Sequence, residues 1–445
     1  MRIPRPLAPA FGLLLAAAPA SAARTVVSLT FDDTFQTHAL AGKLLEQRGW
    51  RGTFFVNAPR IGAGPTYMTL AQVQALALAG HEIGGHTLDH PDLTTLTPDR
   101  AREEICGDRA RLTALGFDPP NFAYPFGAYD ADLEALARSC GYSSARAIGG
   151  LSCSSCAAAG ALPPPDPFAI ETPDSLRQDT SLETMEKYVT DAEQAGGGWV
   201  PLVIHDICDG GCDLYTISST TLSAFLDWLK ARESSGTVVA TVGEALGNAK
   251  KWTPPSPSVL SLVPKSASAG GPDFALAVQG TNFVPGASVL WNGSPRPTSF
   301  VDGAHLEADI PAADIAFATT ALVSAANPGG GAGCAPVPFP VVDCPASCPS
   351  GPGPSSVESV RVYPNPWRAD LHSGAFVTID NLPPGSEVRI FTVTGRSVKT
   401  IDAPDGVGRW DLSNDSGARV SSGVYLYLIT DGQGRREKGS VVIVR

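Results

Sequence analysis

At 445 residues the chain exceeds one ordinary hydrophobic core, and length alone predicts about two to four domains. Lys and Arg number 32 against 44 Asp and Glu, a formal charge of −12, which argues against nucleic acid or an anionic membrane face as partner and favours an uncharged polymer or an insoluble matrix. Helix-type periodicity fills the region before about Gly247, whereas Pro, Gly, Ser and Val with short alternating runs fill the rest.

The first 22 residues read as an export signal. Arg2 and Arg5 give a positive start, Phe11 to Ala18 a short apolar run, and Ala20-Ser21-Ala22 a small-residue cleavage site, so the mature chain is expected to start near Ala23 or Arg24, outside the cytoplasm. The apolar run is too short to span a bilayer and no later segment is a candidate, so no integral membrane segment is expected after its removal. Cysteine usage agrees: Cys106 and Cys140, the close pair Cys153 and Cys156, and the close pair Cys208 and Cys212 are read as disulfide cysteines rather than a zinc site, with connectivity left open. Cys334, Cys344 and Cys348 leave an odd count.

Strand and helix signals then alternate. A strand at Val26 to Phe31 precedes a helix near Gln36 to Arg48; a strand at Thr53 to Val56 precedes a helix at Thr69 to Ala79. Glu82 to Gly84 leads into His86-Thr87-Leu88-Asp89-His90, whose two histidines, four apart, are expected on one face of a helical turn where both reach a single metal. Thr97 and Pro98 start the next helix. Asn121 to Tyr124, helices at Asp130 to Cys140 and Thr180 to Ala195, a strand at Trp199 to Ile204, a helix at Ser218 to Ala231 and a strand at Val238 to Val242 complete the series. Repeated β-α units imply a parallel sheet closed or nearly closed into a barrel, which gathers Asp32, Asp33, His86, Phe126 and His205 at one rim. One carboxylate of the Asp32-Asp33 pair with two histidines would make three protein ligands, the count that leaves a catalytic zinc one open position. His38 is expected to begin a helix and His81 to be structural or solvent-facing.

Thr30-Phe31-Asp32-Asp33, His86-Thr87-Leu88-Asp89-His90, Tyr124-Pro125-Phe126-Gly127 and Leu202-Val203-Ile204-His205, in this order, resemble the motifs of polysaccharide deacetylases with a NodB homology domain, carbohydrate esterase family 4. The resemblance covers about Thr25 to Gly247, within a domain placed at 24–250, and implies a distorted (β/α) barrel. It implies that Asp33, His86 and His90 hold a divalent metal, zinc first and cobalt, nickel or manganese as alternatives. It further implies Asp32 as general base, His205 as general acid, the Phe126 backbone N–H as oxyanion donor beside Pro125, and Leu202 as the lining for the acetyl methyl. Two positions depart from the pattern. Ala123 stands where the family often has arginine, and the arginine's usual aspartate partner has no clear counterpart near Phe168 to Asp174; Asp174, Arg146 and Arg177 are candidates for the missing support.

A proline-stiffened linker at 251–257 introduces alternating strands at 258–343, where Gly280-Thr281-Asn282-Phe283 and Trp291-Asn292-Gly293 resemble the IPT/TIG immunoglobulin-like module. Trp291 is expected in a sandwich core rather than on a sugar. A Cys, Pro, Gly and Ser-rich linker at 344–356 leads to 357–445, where Tyr363-Pro364-Asn365-Pro366-Trp367, Val388 to Arg396 and Gly423-Val424-Tyr425-Leu426-Tyr427 resemble the carboxy-terminal immunoglobulin-like domain of flagellar hook-capping and type IX sorting proteins. That implies display, sorting or attachment. The expectation is an exported N-deacetylase of an acetylated glycan, chitin-like, poly-N-acetylglucosamine or peptidoglycan. An O-acetyl esterase and a glycan-binding protein with a degenerate enzyme domain are the alternatives.

Overall fold

A computed structural model describes residues 24–210, 212–329, 335–343, 360–369, 376–380, 382–383, 385–404 and 406–445. The export signal at 1–22, the linker at 344–356, and Cys334, Cys344 and Cys348 lie outside the described residues. The chain divides into two compact units, with the boundary between Thr253 and Pro254. No helix among the described residues is long and apolar enough to cross a membrane.

The first unit is a succession of strands and helices. In chain order they are β1 (Thr25–Phe31), α1 (His38–Glu46), β2 (Thr53–Val56), α2 (Leu70–Leu78), β3 (Glu82–Gly85), α3 (Pro98–Ala114), β4 (Asn121–Ala123), α4 (Ala131–Ser139), β5 (Ser144–Gly150), β6 (Ile170–Thr172), α5 (Leu182–Gln194), β7 (Gly198–Ile204), β8 (Asp206–Ile207), β9 (Thr216–Ile217), α6 (Ser219–Arg232), β10 (Thr237–Val239) and α7 (Val242–Leu246). Local chemistry sets the helix starts. Thr69, Thr97, Asp130, Ser181, Ser218 and Thr241 each turn a side-chain oxygen onto a first-turn N–H, and Pro98 follows Thr97 where its missing N–H costs nothing.

The sheet runs β7-β1-β2-β3-β4-β5-β6, all parallel, with β10 beside the start of β1. It curls but does not close by a ladder, since β6 and β7 are not paired. Loops fill the gap instead: Gly160 exchanges two 2.8 Å backbone bonds with Trp199, and the Leu176 N–H donates to the Val203 carbonyl at 2.9 Å. Period two divides β1 cleanly. Val27, Leu29 and Phe31 face the helices in one core with Leu45, Val73, Met185, Phe225 and Leu226. On the inner face lie Val26 with Phe55, Ala123, Ile170 and Trp199, and the Trp199 indole donates to the Ser28 hydroxyl at 2.9 Å.

Three features differ from the sequence expectation. β5 and β6 were not anticipated: small residues around Arg146, and a three-residue strand at Ile170, carry little strand signal of their own. Val238 to Val242 is not one strand, because Thr241 and Glu244 form a capping box that starts α7. His86 to His90 forms no helical turn. It is an irregular loop after β3, with Thr87 and His90 in the left-handed region at φ 67° and 60°.

Three disulfides form in this unit, Cys106–Cys140, Cys153–Cys156 and Cys208–Cys212, joining the cysteines read as disulfide-forming.

Among the described residues the second unit is built of strands, with one short 3-10 turn at Ala312–Ile315. Its first part pairs a four-stranded sheet, Ser258–Val263, Phe274–Thr281, His305–Ile310 and Thr298–Asp302, with a five-stranded one containing Ser288–Trp291, Thr319–Ala326 and Val337–Val342. The two share a core in which Trp291 is 1 % exposed, a packing role as expected. Its second part has a three-stranded sheet and a five-stranded sheet built on Ser386–Thr392, Gly423–Thr430 and Arg436–Val444, around Trp410, Val388, Ile390 and Ile443.

Candidate metal centre and active site

Parallel strands deliver their carboxyl ends to one rim, and the chemistry gathers there. Asp32 and Asp33 follow β1, His86 and His90 follow β3, Phe126 follows β4, and His205 follows β7. With Phe35, Ile148, Asp174, Arg177, Asp206, Asp213 and Tyr215 they line a cleft of about 490 Å³. The Asp32 N–H donates to the Ile204 carbonyl at 2.9 Å, which ties the β1 and β7 exits together.

Asp33 adopts φ 78°, a strained conformation for a non-glycine residue, and so breaks the strand alternation. Its Oδ1 lies 3.8 Å from His86 Nε2 and 3.4 Å from His90 Nε2, and one ligand atom from each of the three residues falls within 4.8 Å of the others. His86 Nδ1 sits 2.8 Å from the Ala123 carbonyl. A carbonyl only accepts, so Nδ1 carries the proton and Nε2 presents a bare lone pair. That Nε2 is buried with no hydrogen-bond partner. An orphaned imidazole nitrogen beside a carboxylate and a second imidazole is the donor set a divalent cation satisfies. Arg60, not anticipated from sequence, also reaches Asp33 Oδ1 at 2.7 Å.

Asp32 is 1 % exposed and ion-paired with Arg146 on β5, itself 1 % exposed. Burial pushes the Asp32 pKa up, but Arg146 and the nearby His86 and His205 outweigh it and hold the carboxyl at about 2. One oxygen, Oδ1, is left without a partner. Of the three candidates for the missing support, Arg146 is the one that pairs with Asp32. The sheet register explains it: Ala123 and Arg146 are direct partners on β4 and β5, so the methyl group at 123 sits beside the arginine and its guanidinium lies 5.2 Å over the Phe55 ring inside the curl. Arg177 instead lies 5.2 Å over Tyr215, whose ring is 5.3 Å from that of His205.

His205 is largely buried and its Nδ1 has no partner; burial lowers its pKa while Asp32 and Asp33 oppose the shift. His38, expected merely to begin a helix, is fully buried and donates from Nε2 to the His205 carbonyl at 2.7 Å. His81, expected to be structural or solvent-facing, is buried and structural, accepting from the Gly52 N–H at 3.0 Å. Phe126 is 63 % exposed at φ 59°, its ring 4.7 Å from that of His90, while Pro125 is buried beneath it. Leu202 does not line the cleft. It packs with Val200 and Ile204 on the helix-facing side of β7, and alternation turns Val203 to the inner face instead.

Part of the first unit is similar to known proteins. Residues 20–145 match the family model described as polysaccharide deacetylase; the match takes in Asp32, Asp33, His86, His90 and Phe126 and stops one residue before Arg146. A chitin deacetylase of Colletotrichum lindemuthianum is 35% identical over 124 residues, 26% of this chain and 48% of its own. A gellan lyase of Bacillus sp is 35% identical over 111 residues, 24% of this chain and 4% of its own. The chain thus spans about half or less of these curated relatives. Among solved structures, a putative polysaccharide deacetylase from Mycobacterium smegmatis is 18% identical with TM-score 0.40, covering 52% of this chain and 93% of that one. Peptidoglycan deacetylase PdaC from Bacillus subtilis is 19% identical with TM-score 0.33, covering 51% and 91%.

Proposed function

We propose that the first unit is an exported, divalent-metal-dependent hydrolase that removes N-acetyl groups from a polysaccharide. The observation that carries this reading is the meeting of Asp33, His86 and His90 with the unpartnered Asp32 Oδ1 and His205 Nδ1 in one cleft. The donor set suits zinc best, with cobalt, nickel or manganese also compatible. Such an ion, when bound, supplies Lewis-acid polarisation and an acidified water. Asp32, kept ionised by Arg146, takes a proton from the attacking water through its free oxygen. Phe126 offers its backbone N–H to the oxyanion, and its exposed ring with that of Tyr215 borders the sugar. His205 gives a proton to the departing nitrogen; a depressed pKa makes its protonated form a stronger acid.

The chitin deacetylase among the relatives supports an N-acetylated hexosamine polymer as substrate. Three disulfides support export. The two β modules after the linker are read as IPT/TIG-like (258–343) and carboxy-terminal immunoglobulin-like (357–445), serving display or attachment at the cell surface.

The test is acetate release by the purified chain from chitin oligomers, poly-N-acetylglucosamine, peptidoglycan and acetylxylan, before and after chelation and zinc restoration. Chelator-sensitive release from an amide substrate is expected, and His205→Ala should impair amides far more than esters. Glycan binding without acetate release in the metal-replete protein would overturn the reading.

A further inference from the structure

The loop that carries both histidines holds a shape that neither a strand nor a helix supplies. Four residues of extended chain span about 13 Å, yet the His86 and His90 rings lie 4.8 Å apart. Thr87 and His90 both occupy the left-handed region to achieve this, and such conformations persist only where surroundings over-determine them.

Those surroundings come from α3. Glu104 and Asp108, one turn apart and fully buried, face the loop. Glu104 Oε2 accepts from the Leu88 N–H at 3.0 Å and the Asp89 N–H at 2.9 Å. Asp108 Oδ2 accepts from the His86 N–H at 3.1 Å, while its Oδ1 accepts from the Ala58 N–H at 2.7 Å and so joins the exits of β2 and β3. The His90 N–H donates to the Thr87 hydroxyl at 3.1 Å, and Asn57 Nδ2 donates to the Thr87 carbonyl at 3.0 Å from the opposite side. Gly107, between the two acids, lets the helix approach: a Cβ there would stand 3.1 Å from the Leu88 side chain. At the solvent edge Arg100 bridges Glu104 and Asp89, each at 2.8 Å.

We propose that Glu104 and Asp108 are positioning residues that clamp the 86–90 backbone so that both imidazoles converge on Asp33. The inference rests on the metal reading above, and it assigns to α3 a role in metal affinity. The two acids differ in a testable way. Glu104 turns one oxygen, Oε2, to both loop donors and the other to Arg100 at the solvent edge, so Gln can keep the loop bonds by presenting its carbonyl there and gives up only the Arg100 pair. Asp108 uses both oxygens, so in Asp108→Asn the amide must turn its own N–H groups toward a backbone N–H.

Zinc affinity of the full metal-free chain, measured by competition with a chromophoric chelator, is expected to fall about 10- to 100-fold in Glu104→Ala and in Asp108→Asn and to stay near the parent value in Glu104→Gln. Hydrogen exchange of the peptide covering residues 84–92, read without metal, should quicken in the same two variants alone. Parent-like zinc affinity and exchange in a folded Glu104→Ala would overturn the clamp, as would Glu104→Gln behaving like Glu104→Ala. Should Asp108→Asn not fold, the Glu104 pair decides. A parent chain that binds no zinc would count against the deacetylase reading, while the exchange measurement still judges the clamp.

Discussion

The two ends of the curled sheet bury polar groups in opposite ways. At the amino-terminal end Glu82 is fully enclosed, and its oxygens are engaged by the Asn121 amide, the Thr53 hydroxyl at 3.3 Å and the Gly243 N–H at 2.6 Å, which seats α7 across the base. At the carboxyl-terminal end Asp32 Oδ1, His86 Nε2 and His205 Nδ1 are buried without partners. A buried polar atom left unpaired costs about 1–3 kcal/mol, so three in one cleft mark where a ligand completes the set, whereas the satisfied base contributes stability.

Substitutions should separate the two ends. Asp33→Ala or His86→Ala removes a donor from the set of three and should abolish metal binding and lower acetate release by at least about a thousandfold, with the melting temperature of the metal-free chain little changed; parent-like zinc binding would break the contrast. Arg146→Ala strands a buried carboxylate and should both destabilise the chain, by about 3–5 kcal/mol, and cut kcat; chemical denaturation and acetate assays read the two effects. Placing the arginine on the neighbouring strand, in Ala123→Arg with Arg146→Ala, should recover part of both losses, because the two positions are register partners.

Smaller effects belong to the base and the buttress. Glu82→Ala should cost about 3 kcal/mol by orphaning Asn121 and Gly243, with kcat of the folded fraction unchanged; a fall in kcat would show that the two ends are coupled. His38 is held neutral by burial, its pKa lowered from 6.5 to about 4. The unfolded chain therefore binds more protons between those values, so this contribution is fully present above pH 6.5 and declines as pH falls toward 4, by about 3 kcal/mol in all. Denaturation at pH 7 and pH 4.5 should show the decline, and His38→Gln should flatten it.

Much of the first unit was legible because its signals are local. The helix starts at Thr69, Thr97 and Asp130, the apolar run of β1 and the ordered motifs act within a few residues. Leu202 illustrates where that reading failed, since its neighbourhood in sequence says nothing about which face of β7 turns toward the rim. Arg146 was named only among three candidates, for its partner lies 114 residues away and its strand is built from weak strand formers.

The sequence by itself determined the alternation of strands and helices, the donor types Asp33, His86 and His90, and the pairing chemistry of six cysteines, because capping, hydrophobic period and side-chain chemistry are short-range properties. Only the tertiary structure decided that the histidines converge through a strained loop held from α3, that the sheet stays open between β6 and β7, and that the arginine beside Asp32 comes from β5. Those outcomes depend on strand register and on backbone N–H groups finding acceptors far away in the chain, which no window of sequence contains.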